Sequence, residues 1–462
     1  MKKIFLASIF FIAVFAAMSQ PLKERLETAA RKLEQDSQMV HATLGFYISD
    51  ASTGEVIFDL NGHTGLAPAS TQKLFTAAAA LELLGKHYRY ASGVSYEGKI
   101  NGGTLFGNLV IAGSGDPTLG SWRYAGRAEN DFTDSLFFYL KNAGIKAVNG
   151  NIYGVDNWET QSIPGGWIWD DIGNYYGAGV CGLNWRENQY DLLLKPGLTE
   201  GDPVAIVKTV PEAVGVQFLN ELKTGRPGSG DNGYIYLAPG SREAVVRGTV
   251  PPGDFFKLSG SVPDPGSQFL STVMSRLRQA HIPVSGRGIS VKQAVHGSLP
   301  LFRYESPTLD TIVYWFLQKS INLYGEVLLK TIALEKTGVA STEKGLETLK
   351  HFWSDRGIDK GSLHIQDGSG LSPQNRVSPA SEVTVLRYVR TRPWFDAFYA
   401  ALPVFNRMKM KSGTIGGSKS FAGYQKDGAG REYAFSIIIN NYDGPSATLV
   451  QKMYKILDEL KN

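Results

Sequence analysis

A single cysteine, Cys181, occurs in 462 residues, so no internal disulfide can form and stability must come from packing. Its position far from the N-terminus also argues against a lipid-modified cysteine. Histidine is scarce, seven in all, with no His-Glu-x-x-His pattern, and one cysteine leaves no zinc-ribbon spacing. A metal enzyme is disfavoured, and no cofactor is expected. Neither sign of charge dominates: 47 basic residues stand against 43 acidic ones, and without Lys2 and Lys3 the formal charge of +4 falls to +2. With no basic cluster, nucleic acid is not an expected partner. Internal repeats and low-complexity tracts are absent. The only long apolar run lies at residues 4–17, behind Met1-Lys2-Lys3 and ahead of Ala17-Met18-Ser19. This is the pattern of a secretory signal at 1–19, shorter than the ~20 residues a spanning helix needs. A periplasmic or extracellular protein is expected, with no integral membrane domain after signal cleavage.

What is present reads as a globular chain, 43% hydrophobic and 19% charged, long enough for two to three domains. Helical spacing of Leu22, Leu26, Ala29, Ala30 and Leu33 predicts a first helix. Residues 43–49 and 56–60 predict two strands joined by the turn-rich Asp50-Ala51-Ser52-Thr53-Gly54. Pro68 and Ser70 then open an apolar helix that stops at Gly85. From about 91 to 298 the texture changes to short β-like segments (105–112, 234–237, 243–248 and 255–260) with one helix at 269–280. This reads as a β-rich insert, expected to hold two subdomains. Helices at 309–320 and 323–334, strands at 409–414, 421–425 and 433–440, and a helix at 446–460 follow. The fold class is therefore α+β: an antiparallel sheet flanked by N- and C-terminal helices, formed by 20–90 and 299–462 and interrupted by 91–298.

Three short motifs carry the chemistry. Ser70-Thr71-Gln72-Lys73 places an amine three residues from a hydroxyl on one helix face, a base beside a nucleophile. An ordinary lysine is protonated at neutral pH, so burial or nearby positive charge must lower its pKa. Ser-x-x-Lys arises by chance on the order of once or twice in such a chain, and alone it reads as a capping serine with an exposed lysine. At the helix junction Ser320-Ile321-Asn322, a hydroxyl able to relay a proton and an amide able to bond a substrate carbonyl and orient Lys73 can both face inward. Either could equally be a helix cap. On the strand Lys411-Ser412-Gly413-Thr414, Lys411 offers a cation for a terminal carboxylate. The N–H groups of Thr414 and Ser70 could form an oxyanion hole, and the backbone could pair with an extended peptide. Asp367-Gly368-Ser369-Gly370-Leu371 lacks the Gly-x-Ser-x-Gly spacing of a nucleophile elbow and is expected to shape the cleft.

Taken together and in this order, the motifs resemble those of penicillin-binding proteins and class A β-lactamases, with Ser412 where Thr is common. The long gap between the first two is similar to the D-alanyl-D-alanine carboxypeptidase/endopeptidase group of the penicillin-binding protein 4 type, the S13 peptidases. Further matches are Gly107-Asn108-Leu109 through Gly115-Asp116-Pro117, Trp167-Ile168-Trp169-Asp170-Asp171, and residues 320–326 and 367–372. The resemblance implies a serine hydrolase in which Ser70, with Lys73, Ser320, Asn322 and Lys411, is acylated by a peptidoglycan stem peptide. β-Lactam antibiotics would be covalent inhibitors, Ser412, Gly413 and Thr414 would bind substrate, and Asp171 would recognise the cationic end of the stem's diamino acid. The chain departs from the family pattern where Leu402-Pro403-Val404 runs almost directly into the strand of Lys411. A β-lactamase would need a water-activating Glu beside Ser70, which the spacing does not offer. A cell-wall-binding module with a decayed site would not need the full set of acid, base and donor side chains.

Overall fold

The computed structural model describes residues 21–158, 161–293 and 297–462; the leader expected at 1–19 lies outside them. Among the described residues no helix is long and apolar enough to cross a membrane. Six strands form the principal sheet: β1 Thr43–Asp50, β2 Val56–Leu60, β3 Val404–Phe405, β4 Met408–Ile415, β5 Ser418–Lys426 and β6 Glu432–Asn440. Their order is β2-β1-β6-β5-β4-β3, with every neighbour antiparallel. β6 lies inside the sheet with helices on both faces, which is why its sequence reads as a nearly unbroken apolar run.

On one face Phe46, Ile48, Phe435, Ile437 and Ile439 pack against α1, Leu22–Glu34, and the C-terminal helix, Ser446–Leu457. α1 contributes Leu26, Ala30 and Leu33 at the spacing the sequence predicts. On the other face Ala422, Ala434 and Ile438 join a helical layer built around α2, Lys73–Leu83. Every residue of α2 from Lys73 to Leu81 is buried, and its Ala77-Ala78-Ala79-Ala80 block lets neighbouring helices approach closely. Among those neighbours are α3, Leu309–Gln318, α4, Asn322–Thr337, and α5, Pro379–Arg390.

The residues between these halves bury two separate apolar clusters. One lies on a five-stranded sheet of Gly288–Val291, Ile152–Val155, Leu109–Ala112, Ala91–Tyr96 and Leu299–Glu305, and the other centres on Tyr190, Leu192, Ile235 and Val246. The strand Leu299–Glu305 pairs with Ala91–Tyr96, so the chain leaves and re-enters the helical layer side by side. Two details differ from the sequence expectation. Residues 105–112 form two strands in different sheets, Thr104–Phe106 and Leu109–Ala112, broken at Gly107, where a Cβ would collide with the Glu97 carbonyl at 1.9 Å. Asp131–Asn142 is a helix inside the region read as short strands, with Phe132, Leu136 and Leu140 buried four apart against Phe269 and Val273.

Candidate active site

The first motif folds as a 3₁₀ turn, Ala69–Gln72, that runs into α2 at Lys73, in place of one continuous α-helix. Ala69 takes a left-handed φ of 50° although it is not glycine, at a cost of about 1 kcal/mol. Its surroundings hold it there. Gly370 abuts the Ala69 carbonyl so closely that a Cβ would sit 1.9 Å away. Pro68 O accepts from Thr71 Oγ1 at 2.8 Å and Ser420 Oγ at 2.6 Å, and Ala67 N donates to Asn440 Oδ1 at 2.7 Å. Side chains three apart eclipse in a 3₁₀ turn, so Ser70 and Lys73 still share one face.

Lys73 is fully buried, and its Nζ has three polar neighbours: Ser70 Oγ at 2.9 Å, Asn322 Oδ1 at 2.7 Å and Ser369 O at 2.6 Å. The last two oxygens can only accept. A neutral amine spends its two N–H bonds on them and turns its lone pair toward Ser70, the one neighbour able to donate. Asn322 Nδ2 donates to Tyr176 O at 2.9 Å, which fixes the amide with its oxygen toward the lysine. Burial pulls the Lys73 pKa down to about 7, against the opposing pull of Asp367 and Glu326. Glu326, at the back of the amine, is pushed up to about 8 by burial and by the Asp367 charge, and both its oxygens accept from Gly368 N at 3.1 Å.

Ser70 opens on a cavity of about 450 Å³ whose lining also includes Ser320, Asn322, Thr414, Ile168, Asp171, Tyr175 and Tyr176. Ser320, φ 57°, follows the end of α3 and turns the chain so that Asn322 can begin α4. Asp171 is half-buried, and burial together with neighbouring Asp170 pushes its pKa up to about 6. Lys411 is not at the cavity wall. Its side chain is 2% exposed, its Nζ donates to Ser412 O at 2.8 Å, and burial plus the Lys73 and Lys419 cations hold its pKa well below the usual lysine range. Ser412 and Gly413 also stand off the cavity, Gly413 pressed against the Ser70 turn.

At Leu402-Pro403-Val404 the chain makes a tight hairpin: Val404 pairs with Lys409 and Phe405 with Met408, across Asn406 and Arg407 at φ 48° and 60°. β3 therefore covers β4 only as far as Lys409. Met410 N still donates to Pro403 O at 3.0 Å, and the period of two then leaves the backbone groups of Ser412 and Thr414 on the uncovered edge. An extended peptide can pair with such an edge.

Sequence reasoning missed the direct grip on the lysine by the 367–372 loop. Asp367 Oδ1 accepts from Gly370 N at 2.7 Å, Gln72 Nε2 at 3.0 Å and Asn375 Nδ2 at 3.0 Å, and Oδ2 accepts from Ser372 N at 2.6 Å. This network presents the Ser369 carbonyl. The two glycines flanking Ser369 signalled a tight loop, but a backbone carbonyl has no signature of its own.

The profile of the D-Ala-D-Ala carboxypeptidase 3 (S13) family matches residues 26–460. A D-alanyl-D-alanine carboxypeptidase of Actinomadura sp. (strain R39) is 27% identical over 454 residues, covering 90% of this chain and 81% of the relative. The D-alanyl-D-alanine carboxypeptidase DacB of Haemophilus influenzae is 26% identical over 425 residues, covering 87% of this chain and 86% of its own. The crystal structure of penicillin binding protein 4 (dacB) from Haemophilus influenzae superposes with a TM-score of 0.80 at 24% identity, over 95% of this chain and 99% of that one. Its complex with a β-lactam superposes with a TM-score of 0.76 at 23% identity, over the same shares.

Proposed function

The chain belongs to the D-Ala-D-Ala carboxypeptidase 3 (S13) family, and on that premise we propose that it hydrolyses peptidoglycan stem peptides ending in D-Ala-D-Ala through an acyl-enzyme on Ser70. The observation that carries this reading is the buried Lys73 amine, held by two carbonyl oxygens and 2.9 Å from Ser70 Oγ. Lys73 takes the Ser70 proton as Oγ attacks the carbonyl carbon of the penultimate D-Ala. The N–H groups of Ser70 and Thr414 receive the oxyanion. The Ser320 hydroxyl passes a proton to the departing amine, the C–N bond breaks, and D-Ala leaves. Water then attacks the ester and regenerates Ser70. The open edge at Ser412 and Thr414 suits an extended D-peptide, Lys411 braces that edge from behind through its bond to Ser412 O, and Asp171 faces the amino end of the stem's diamino acid. The same steps at a cross-link would make the enzyme a D,D-endopeptidase.

β-Lactams enter this scheme as covalent inhibitors that stop at the acyl-enzyme. The carboxyl groups nearest Lys73, those of Glu326 and Asp367, are buried and bonded within the 367–372 loop, and neither lines the cavity to activate water. This favours a peptidase over a β-lactamase. The substrate places the working enzyme outside the cytoplasm, periplasmic or extracellular, after removal of a signal at 1–19. In this reading 20–90 and 299–462 form the catalytic unit and 91–298 the insert that supplies Asp171.

Incubation with a labelled penicillin tests the scheme. A stable adduct on Ser70, absent from Ser70→Ala, is expected; rapid release indicates a lactamase, and no adduct overturns the proposal. Mass analysis of muropeptide digests then separates loss of terminal D-Ala from cleavage of cross-links.

A further inference from the structure

We propose that Trp167, contributed by the insert, is a positioning residue for Lys73: its indole holds the 367–372 loop so that the Ser369 carbonyl meets the amine. This rests on the reading of Lys73 as the base. Trp167 is 7% exposed, and its Nε1–H donates to Asp367 Oδ2 at 2.9 Å. Next to it, Gly166 O accepts from Ser372 Oγ at 2.8 Å, and a Cβ on Gly166 would lie only 2.5 Å from that oxygen. The loop is thus tied to the insert at Asp367 and at Ser372, with Ser369 between the ties. The other acceptor of the lysine, Asn322 Oδ1, is also fixed from the insert, through Tyr176 O. Both carbonyl oxygens that receive the Lys73 N–H bonds therefore depend on one segment, 166–176, remote from the three motifs in sequence.

The tie is polar, which separates positioning from packing. Phenylalanine at 167 would fill most of the same space but leave Asp367 Oδ2 one donor short. The titratable groups facing Lys73 are Asp367, Glu326 on α4 and Lys411 on β4. With less of its charge taken up by donors, Asp367 draws a proton to Lys73 more strongly, and a displaced Ser369 carbonyl holds the neutral amine less well. Both changes act on the reacting atoms.

The experiment is the pH dependence of penicillin acylation in Trp167→Phe, with circular dichroism and thermal unfolding as folding controls. Folded protein that still forms the Ser70 adduct, at a rate lowered about tenfold and with its acid limb moved to higher pH, is the expected result. A rate within about twofold of wild type overturns the proposal, as does a slower rate with an unmoved limb, which would mark a merely structural tryptophan. If Trp167→Phe does not fold, Ser372→Ala cuts the second tie: a smaller loss of rate with the limb displaced the same way is expected, and an unmoved limb overturns the inference. Failure of the wild-type protein to form any adduct would instead refute Ser70 acylation itself.

Discussion

Gly413 backs directly onto Ser70: a Cβ built on the glycine would stand 2.9 Å from Ser70 N and 2.4 Å from Pro68 O. The third motif thus presses on the turn that carries Ser70, and only hydrogen fits between them. Gly413→Ala must push β4, and with it the Thr414 N–H, away from the Ser70 N–H. Acylation by penicillin is expected to fall about 100-fold, as when an oxyanion donor is lost, with overpacking costing about 1–3 kcal/mol in urea unfolding. Wild-type acylation in that variant would remove Ser70 N from the oxyanion hole.

In the proposed mechanism the neutral form of Lys73 is the active one, so acylation should climb through pH 7 and level off above it, following the lysine pKa of about 7. Asn322→Asp puts a carboxylate where an amide oxygen lies 2.7 Å from Nζ. Opposite charge at that range favours the protonated amine by about one to three pKa units. The acid limb should move upward by at least one unit, with the rate partly recovered in alkali. Stopped-flow acylation across pH reads this directly.

Asp171 lines the same cavity as Ser70, on the segment contributed by the insert. Asp171→Asn should leave penicillin acylation within about twofold but lower kcat/KM about fivefold for stem peptides carrying a free side-chain amine, the value of a partly exposed ion pair. Because its pKa stands near 6, the wild-type preference for such peptides should fade as the pH falls through 6. Paired assays on amidated and free stem peptides make the comparison.

Glu382, on α5, is fully buried, accepts from Ser436 Oγ at 2.6 Å, and is pushed by burial from 4.5 up to about 7. Its folded pKa exceeds its unfolded one, so the native state binds the extra proton, and stability is lost as pH rises from about 4.5 to 7. Glu382→Gln keeps the shape without the ionisation. The variant should gain on the order of 3 kcal/mol relative to wild type above pH 7 and little near pH 4. Urea unfolding at the two pH values gives the difference.

Much of this site was legible because its parts are local. Ser70 and Lys73 are three residues apart, Ser320 and Asn322 two apart, and Gly413 and Thr414 adjacent, so each pair declares itself in a short window. The alternation of β1 and the apolar run of β6 likewise announce their faces. What stayed hidden depends on long-range contact. Burial of Lys73 follows from α2 being surrounded by other helices, and the place of Lys411 behind the cavity follows from sheet packing. The helix Asp131–Asn142 was obscured by the strand-like texture around it, although Phe132, Leu136 and Leu140 already kept helical spacing.

In the principal sheet Thr43 lies opposite Asn440, and β6 separates β1 from β5. A growing polypeptide that has not yet reached Glu432 has its first strand without its inner partner, and the Ala67 amide without the Asn440 side chain that accepts from it. Assembly of the turn before Ser70 therefore waits on the last strand of the sheet, so the two ends of the chain must meet before that turn is anchored.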